Sequence, residues 1–152
     1  MHDIHKTAAA ESVPAMREII ASGKGFWLTV TGRSMAPFLK PKDDRVYIAP
    51  MRGGKYRRGD VLFIFSDSKP ILHRVCRTGE KQFWLCGDAH NYVEGPFGDD
   101  CIIGVMTDVI GKKGRHTHIN KFMRFLGCAW LLTRPFRPTL HSLSASTVNR
   151  RD

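Results

Sequence analysis

No stretch of this sequence reaches the roughly 18 to 20 apolar residues that a helix needs to cross a bilayer. A cleavable export signal is missing as well, because Arg17, Glu18 and Lys24 interrupt any apolar core near the N-terminus before a cleavage site could follow. Cysteine is sparse: Cys76, Cys86, Cys101 and Cys128 form no close pair of the kind that builds a zinc knuckle, and they fit no dense disulfide framework. Small buried thiols are the expected role, and the sequence implies no cofactor and no metal. There is no internal repeat. These absences point to a protein expected in the cytoplasm.

Acid is scarce near the C-terminus. The formal charge is +10, yet nine Lys/Arg and a single acid lie between Lys112 and Asp152, while residues 1–111 are close to balanced with fifteen Lys/Arg against thirteen Asp/Glu. A basic tail suits an acidic partner such as a membrane surface, or else is a solvated end. Nucleic-acid binding is not expected, since no recognition motif accompanies the charge.

What is present is enough for one domain with tails: 152 residues, of which 42% are hydrophobic. Residues 1–25 read as an N-terminal helical segment, with Ser12 as its cap, Met16, Ile19 and Ile20 at helical spacing and Gly23 as its stop. Residues 26–111 read as a mainly β domain, with strands expected at Phe26–Val30, Arg45–Ile48, Val61–Phe65, Ile71–Cys76, Gln82–Cys86 and Ile102–Ile110 between clusters of Gly, Pro and Asp. Residues 112–141 form a basic linker and an amphipathic helix over Asn120–Leu132, ended by Pro135 and Pro138. Residues 142–152 read as a disordered tail. The helix leaves two readings open: one that docks on the inner leaflet of a membrane, and one that covers the β-core.

Ser34 follows a strand and a glycine turn in Thr31-Gly32-Arg33-Ser34-Met35-Ala36-Pro37, where its hydroxyl can stand at an exposed edge. A short helix starting there would aim free N–H groups at an oxyanion. A serine needs a base that titrates near neutrality, and His73 is the best candidate. Alternation in Ile71-Leu72-His73-Arg74-Val75 puts it on the face of Ile71 and Val75. A hairpin turn centred near Gly79-Glu80 sets Cys86 opposite His73, so that Asp88 becomes a diagonal neighbour at roughly 7 to 8 Å between α-carbons. That acid could hold the imidazole in its working tautomer, although a slip of one residue would undo the arrangement.

Thr31-Gly32-Arg33-Ser34-Met35-Ala36-Pro37, Arg58-Gly59-Asp60-Val61-Leu62, Leu72-His73-Arg74-Val75, Leu85-Cys86-Gly87-Asp88-Ala89-His90-Asn91 and Ile103-Gly104-Val105, in that order, resemble the boxes of the signal peptidase I family. The His-Arg-Val box makes the chain more similar to the endoplasmic-reticulum and archaeal type, whose base is histidine. The resemblance implies a signal peptidase/LexA-like β-domain with Ser34 as nucleophile, His73 as base, and Asp88 or Glu94 as the supporting acid, Asp88 being preferred. It also implies that Gly32, Arg33 and Met35, with the preceding strand, form the groove for an extended peptide. Asp60 reads as a turn acid.

The family often carries a serine where this chain has Gly32, and its members are normally membrane-anchored. The expected function is therefore a serine endopeptidase, cytoplasmic or peripheral to the inner membrane leaflet, that removes a leader or propeptide from a peptide or protein. The alternative is a LexA-like module that cleaves itself or binds a partner, against which stand the missing helix-turn-helix and the histidine in place of lysine. A degenerate peptidase fold kept only for binding is a third reading.

Overall fold

The computed structural model describes residues 3–137, with side chains from residue 11 onward. Its architecture is mainly β: a single antiparallel sheet flanked by one helix from each end of the chain. The strands are β1 (Phe26–Thr29), β2 (Arg45–Ala49), β3 (Val61–Ser66), β4 (Lys69–Gly79), β5 (Gln82–Cys86), β6 (Glu94–Gly98), β7 (Ile102–Ile110) and β8 (His116–His118). Their order is β1-β2-β7-β3-β4-β5-β6, with β8 added alongside the end of β7. The late strand β7 therefore lies in the middle, joining β2 to β3.

Six strands fall where the alternation of apolar residues predicts them. The other two, β6 and β8, carry the sequences Glu-Gly-Pro-Phe-Gly and His-Thr-His, which have neither an apolar run nor β-branched enrichment. Each is held by pairing to an established neighbour, β6 to β5 and β8 to β7. Helix α1 (Asp3–Ala21) starts well before Ser12, which lies inside the helix and does not cap it. The preceding Lys6-Thr7-Ala8-Ala9-Ala10-Glu11 is rich in strong helix formers, and these carry the helix through to Pro14. Gly23, at φ 81°, supplies the expected stop, its N–H meeting the carbonyl of Ile20 at 3.0 Å.

Two apolar clusters fill the fold. Val13 of α1, with the partly buried Met16 and Ile20, packs on Val46, Ile48, Val61, Phe63 and Ile103. Leu62, Ile64, Val75, Phe83 and Leu85 form the second cluster, between β3, β4 and β5. Helix α2 (Lys121–Leu132) begins as predicted: the Asn120 side chain accepts from the Met123 N–H at 2.9 Å. It ends at Thr133, and a short 3-10 turn at Arg134–Phe136 contains Pro135. Pro138 and the tail lie outside the described residues.

Candidate active site

The hairpin of β4 and β5 decides which side chains can meet. It turns at Glu80-Lys81, pairing Gly79 with Gln82, and a bulge at Cys76 then takes up one residue, so that Val75 faces Leu85 and Arg74 faces Cys86. The predicted register had Cys86 opposite His73. The difference is a single position, and it changes the face on which Asp88 falls.

His73 lies on the inner face with Val75, buried, and its Nδ1 is 2.8 Å from Glu94 Oε2. Glu94 opens β6 and stands across from Leu85, which itself faces Val75, so two strand pairings carry the carboxylate to the histidine. An ionised carboxylate only accepts, and the ring proton therefore sits on Nδ1, leaving Nε2 with a lone pair. Burial pushes the His73 pKa below its ordinary 6.5, while the charge and hydrogen bond of Glu94 and the charge of Asp88 pull it partly back. The net effect is an imidazole that is neutral at neutral pH and able to accept a proton.

Asp88 does not orient His73. Both of its oxygens are taken by Arg74, with Nε to Oδ1 at 2.7 Å and Nη2 to Oδ2 at 2.6 Å, and the carboxylate is fully buried. The one-residue shift in register puts Asp88 on the Arg74 face of the hairpin, and a two-pronged guanidinium contact is the strongest partner available there. The remaining Arg74 nitrogen, Nη1, donates to the Gly59 carbonyl at 2.8 Å. Asp60 closes its own turn by accepting from the Arg57 N–H at 2.8 Å.

Ser34, half-buried, lies between β1 and β2 in a run of turns at residues 34–38. The expected helix does not start there. Ala36 N–H bonds to the Arg33 carbonyl at 3.1 Å and Leu39 N–H to the Met35 carbonyl at 3.0 Å, without a continuing ladder. An oxyanion would rely on separate backbone N–H groups, not on a helix dipole. Met35 also departs from expectation: it is 2% exposed and packs in the first apolar cluster, so its side chain cannot line a groove. Arg33 and Gly32 are exposed, and nothing lies within 4 Å of where a Gly32 β-carbon would be.

Ser34 is tied to the histidine side of the molecule through the loop after β5. Its carbonyl accepts from the Ala89 N–H at 2.9 Å. Gly87 is the tight point: a β-carbon there would stand 2.7 Å from the Ser34 carbonyl oxygen and 2.6 Å from His90 Nδ1. The His90 ring meets the His73 ring edge-on at 5.4 Å between centroids and stacks on Tyr92 at 4.5 Å. Among the described residues no hydrogen bond joins the Ser34 hydroxyl to His73. The two are linked through Gly87, Ala89 and His90.

Two participants escaped the sequence reading. His90 sits inside the quoted Gly-Asp-Ala-His box, and its second imidazole beside His73 shows only once the loop is folded. Arg74 directly follows His73, and alternation alone would have sent it to the opposite face, where a buried cation needs an acid.

Helix α2 braces this loop from behind. Trp130 Nε1 donates to the Asp88 carbonyl at 2.7 Å, and Arg137 Nη1 to the His90 carbonyl at 2.8 Å. Arg137 also stacks on the Trp130 ring at 4.8 Å and bonds its carbonyl through Nη2. The core-covering reading of the helix thus holds for its inner side.

Burial pushes the Cys76, Cys86 and Cys101 thiols up, the last to about 11, keeping these three protonated at neutral pH. A cavity of about 440 Å³ opens elsewhere, between Phe38, Lys40, Asp44 and Arg115, and none of the four candidate residues lines it. Among the described residues no helix is long and apolar enough to cross a membrane. Comparison of the chain with protein-family models finds no match, and comparison with curated proteins finds none either.

Proposed function

We propose that this chain is a serine endopeptidase of the signal-peptidase kind, acting in the cytoplasm to remove a leader or propeptide, with Ser34 as nucleophile, His73 as general base and Glu94 as the acid that orients it. The observation that carries the reading is the 2.8 Å contact between His73 Nδ1 and Glu94, which leaves Nε2 unprotonated on a buried, neutral imidazole. The ordered boxes around Ser34 and His73 support the same chemistry. Asp88 acts through Arg74 and the loop, as a positioning residue.

In the reaction, Ser34 Oγ attacks the scissile carbonyl while its proton passes to His73 Nε2, and the carbonyl electron pair moves to oxygen. Glu94 stabilises the resulting imidazolium. Collapse of the intermediate breaks the C–N bond, and Nε2–H protonates the leaving amine. Water, deprotonated by the same nitrogen, then attacks the acyl ester, and collapse breaks the C–O bond to Ser34, whose Oγ takes the proton back from Nε2. An extended substrate has a place to lie: among the described residues β1 ends the sheet and pairs with β2 alone, so its other edge can accept a peptide backbone next to Ser34.

Incubation of the purified chain with candidate leader peptides should give one defined cut, lost in both Ser34→Ala and His73→Ala. Unchanged cutting in either variant overturns the assignment. Time-dependent loss of a piece of the chain itself, dependent on Ser34, would favour self-cleavage over action on a separate substrate.

A further inference from the structure

Helix α2 is apolar on both sides. Its inner side buries Gly127 and Leu131 against the sheet. The outer side should be polar in an ordinary surface helix. Here the residues facing away from the core are Phe122, Phe125, Leu126, Ala129 and Leu132, which at about 100° per residue share an arc of about 120°. Phe122 and Phe125 are each 65% exposed and Leu132 68%, and Phe136, just past the helix, is 87% exposed. An apolar stripe of this kind marks a binding face.

Charge says what that face meets. From Lys112 to Arg137 there are seven Lys/Arg and no Asp or Glu. The cavity of about 440 Å³ is rimmed by Lys40, Lys112, Lys113 and Arg115, and Phe38 and Val109 border both this cavity and the cleft that Met123 and Leu126 of the helix line. Two acids, Asp43 and Asp44, share that rim; Asp44 is occupied in accepting from the Lys40 N–H at 2.8 Å, and Asp43 faces Lys112 at 3.9 Å. The surplus is cationic. A protein partner would need an acidic surface matched to a flat row of phenylalanines, whereas an anionic bilayer offers both properties at once: acyl chains for the rings and headgroups for the cations. At twelve residues, or about 18 Å, the helix is too short to cross and would lie in the interface plane.

We propose that the outer face of α2, with the basic rim beside it, docks the protein on an anionic lipid surface. The helix would then have two roles. Its inner side holds the loop at Asp88 and His90, and its outer side fixes the distance of that loop from the membrane. The proposal stands apart from the peptidase reading, since neither Ser34 nor His73 takes part in it.

The test is flotation of the full chain with vesicles of phosphatidylcholine alone and of phosphatidylcholine mixed with phosphatidylglycerol, at low and high salt. Binding is expected to the mixed vesicles, weaker at high salt and weak on the neutral ones. Phe122→Ser and Phe125→Ser should each lower partitioning about tenfold. Both positions are exposed, and an unchanged melting temperature confirms that the fold is kept. Lys113→Gln with Arg115→Gln should weaken binding at low salt only. Ser34→Ala should bind as the parent does, so loss of peptidase activity and loss of docking are separable. No binding to either vesicle, or equal binding by the phenylalanine variants, overturns the proposal. So does a dimer in light scattering that the phenylalanine variants dissociate while vesicles go unbound, which would make the face a self-association surface.

Discussion

Gly127 of α2 rests directly on the Arg74 guanidinium: a β-carbon at this position would overlap Arg74 Nη1 and stand 2.7 Å from its Cζ. A glycine is needed there because the helix approaches a charged plane that cannot move away. Arg74 is already fixed by Asp88 and the Gly59 carbonyl.

Gly127→Ala should therefore push the helix off the hairpin, destabilising the protein by about 1 to 3 kcal/mol as overpacking does. A lower midpoint in urea denaturation with an unchanged slope is the expected reading. An unaltered midpoint would show that the helix shifts freely.

Asp88→Asn and Glu94→Gln should fail in different ways. The first leaves the buried Arg74 charge without its carboxylate and should lower stability by about 3 to 5 kcal/mol, seen as a drop in melting temperature. The second should leave the melting temperature nearly unchanged while lowering kcat by about 10³- to 10⁴-fold, since the imidazole loses both its orientation and its counter-charge. Measuring both quantities for both variants checks which acid serves the base.

The pH profile follows from the burial of His73. Its folded pKa lies below 6.5, so the acid limb of kcat/KM should fall below that value, and Glu94→Gln, which removes raising influences, should move the limb lower still. Stability carries the same sign. As pH falls below 6.5, the unfolded chain takes up a proton that folded His73 resists, so stability present above 6.5 is lost on acidification. His73→Gln should flatten that part of the stability curve.

Gly87→Ala should cost activity out of proportion to its size. The added carbon meets the Ser34 carbonyl oxygen, which is backbone and can yield only by moving the serine turn. A fall in kcat with a destabilisation of about 1 to 3 kcal/mol is expected, read by turnover and urea denaturation together.

The β character and the six apolar strands were legible because burial on a pleated surface leaves an alternation that needs no partner to be read. The helix at Lys121–Leu132 was legible from the spacing of its apolar residues, while its Asn120 cap came from the structure. The acid that meets His73 was not. Choosing between Asp88 and Glu94 needed the bulge at Cys76, and nothing in Val75-Cys76-Arg77 announces an extra residue. It also needed β6, a strand of Gly and Pro that exists only through its pairing with β5. Met35 was misplaced for a related reason: a turn residue next to an exposed serine can still point into the core.

The position of β7 bears on when the site can form. It is the last long strand in the chain, yet it lies between β2, which adjoins the Ser34 turn, and β3, which pairs with the His73 strand. Until Ile102–Ile110 inserts, the serine half and the histidine half share no sheet hydrogen bonds. Joining them closes a loop of more than fifty residues, from Arg45 to Ile110, a non-local step of the kind that slows folding. A growing chain would thus carry the proposed nucleophile and the proposed base well before they are brought into one body, and recovery of the proposed activity on refolding would time the arrival of this one strand.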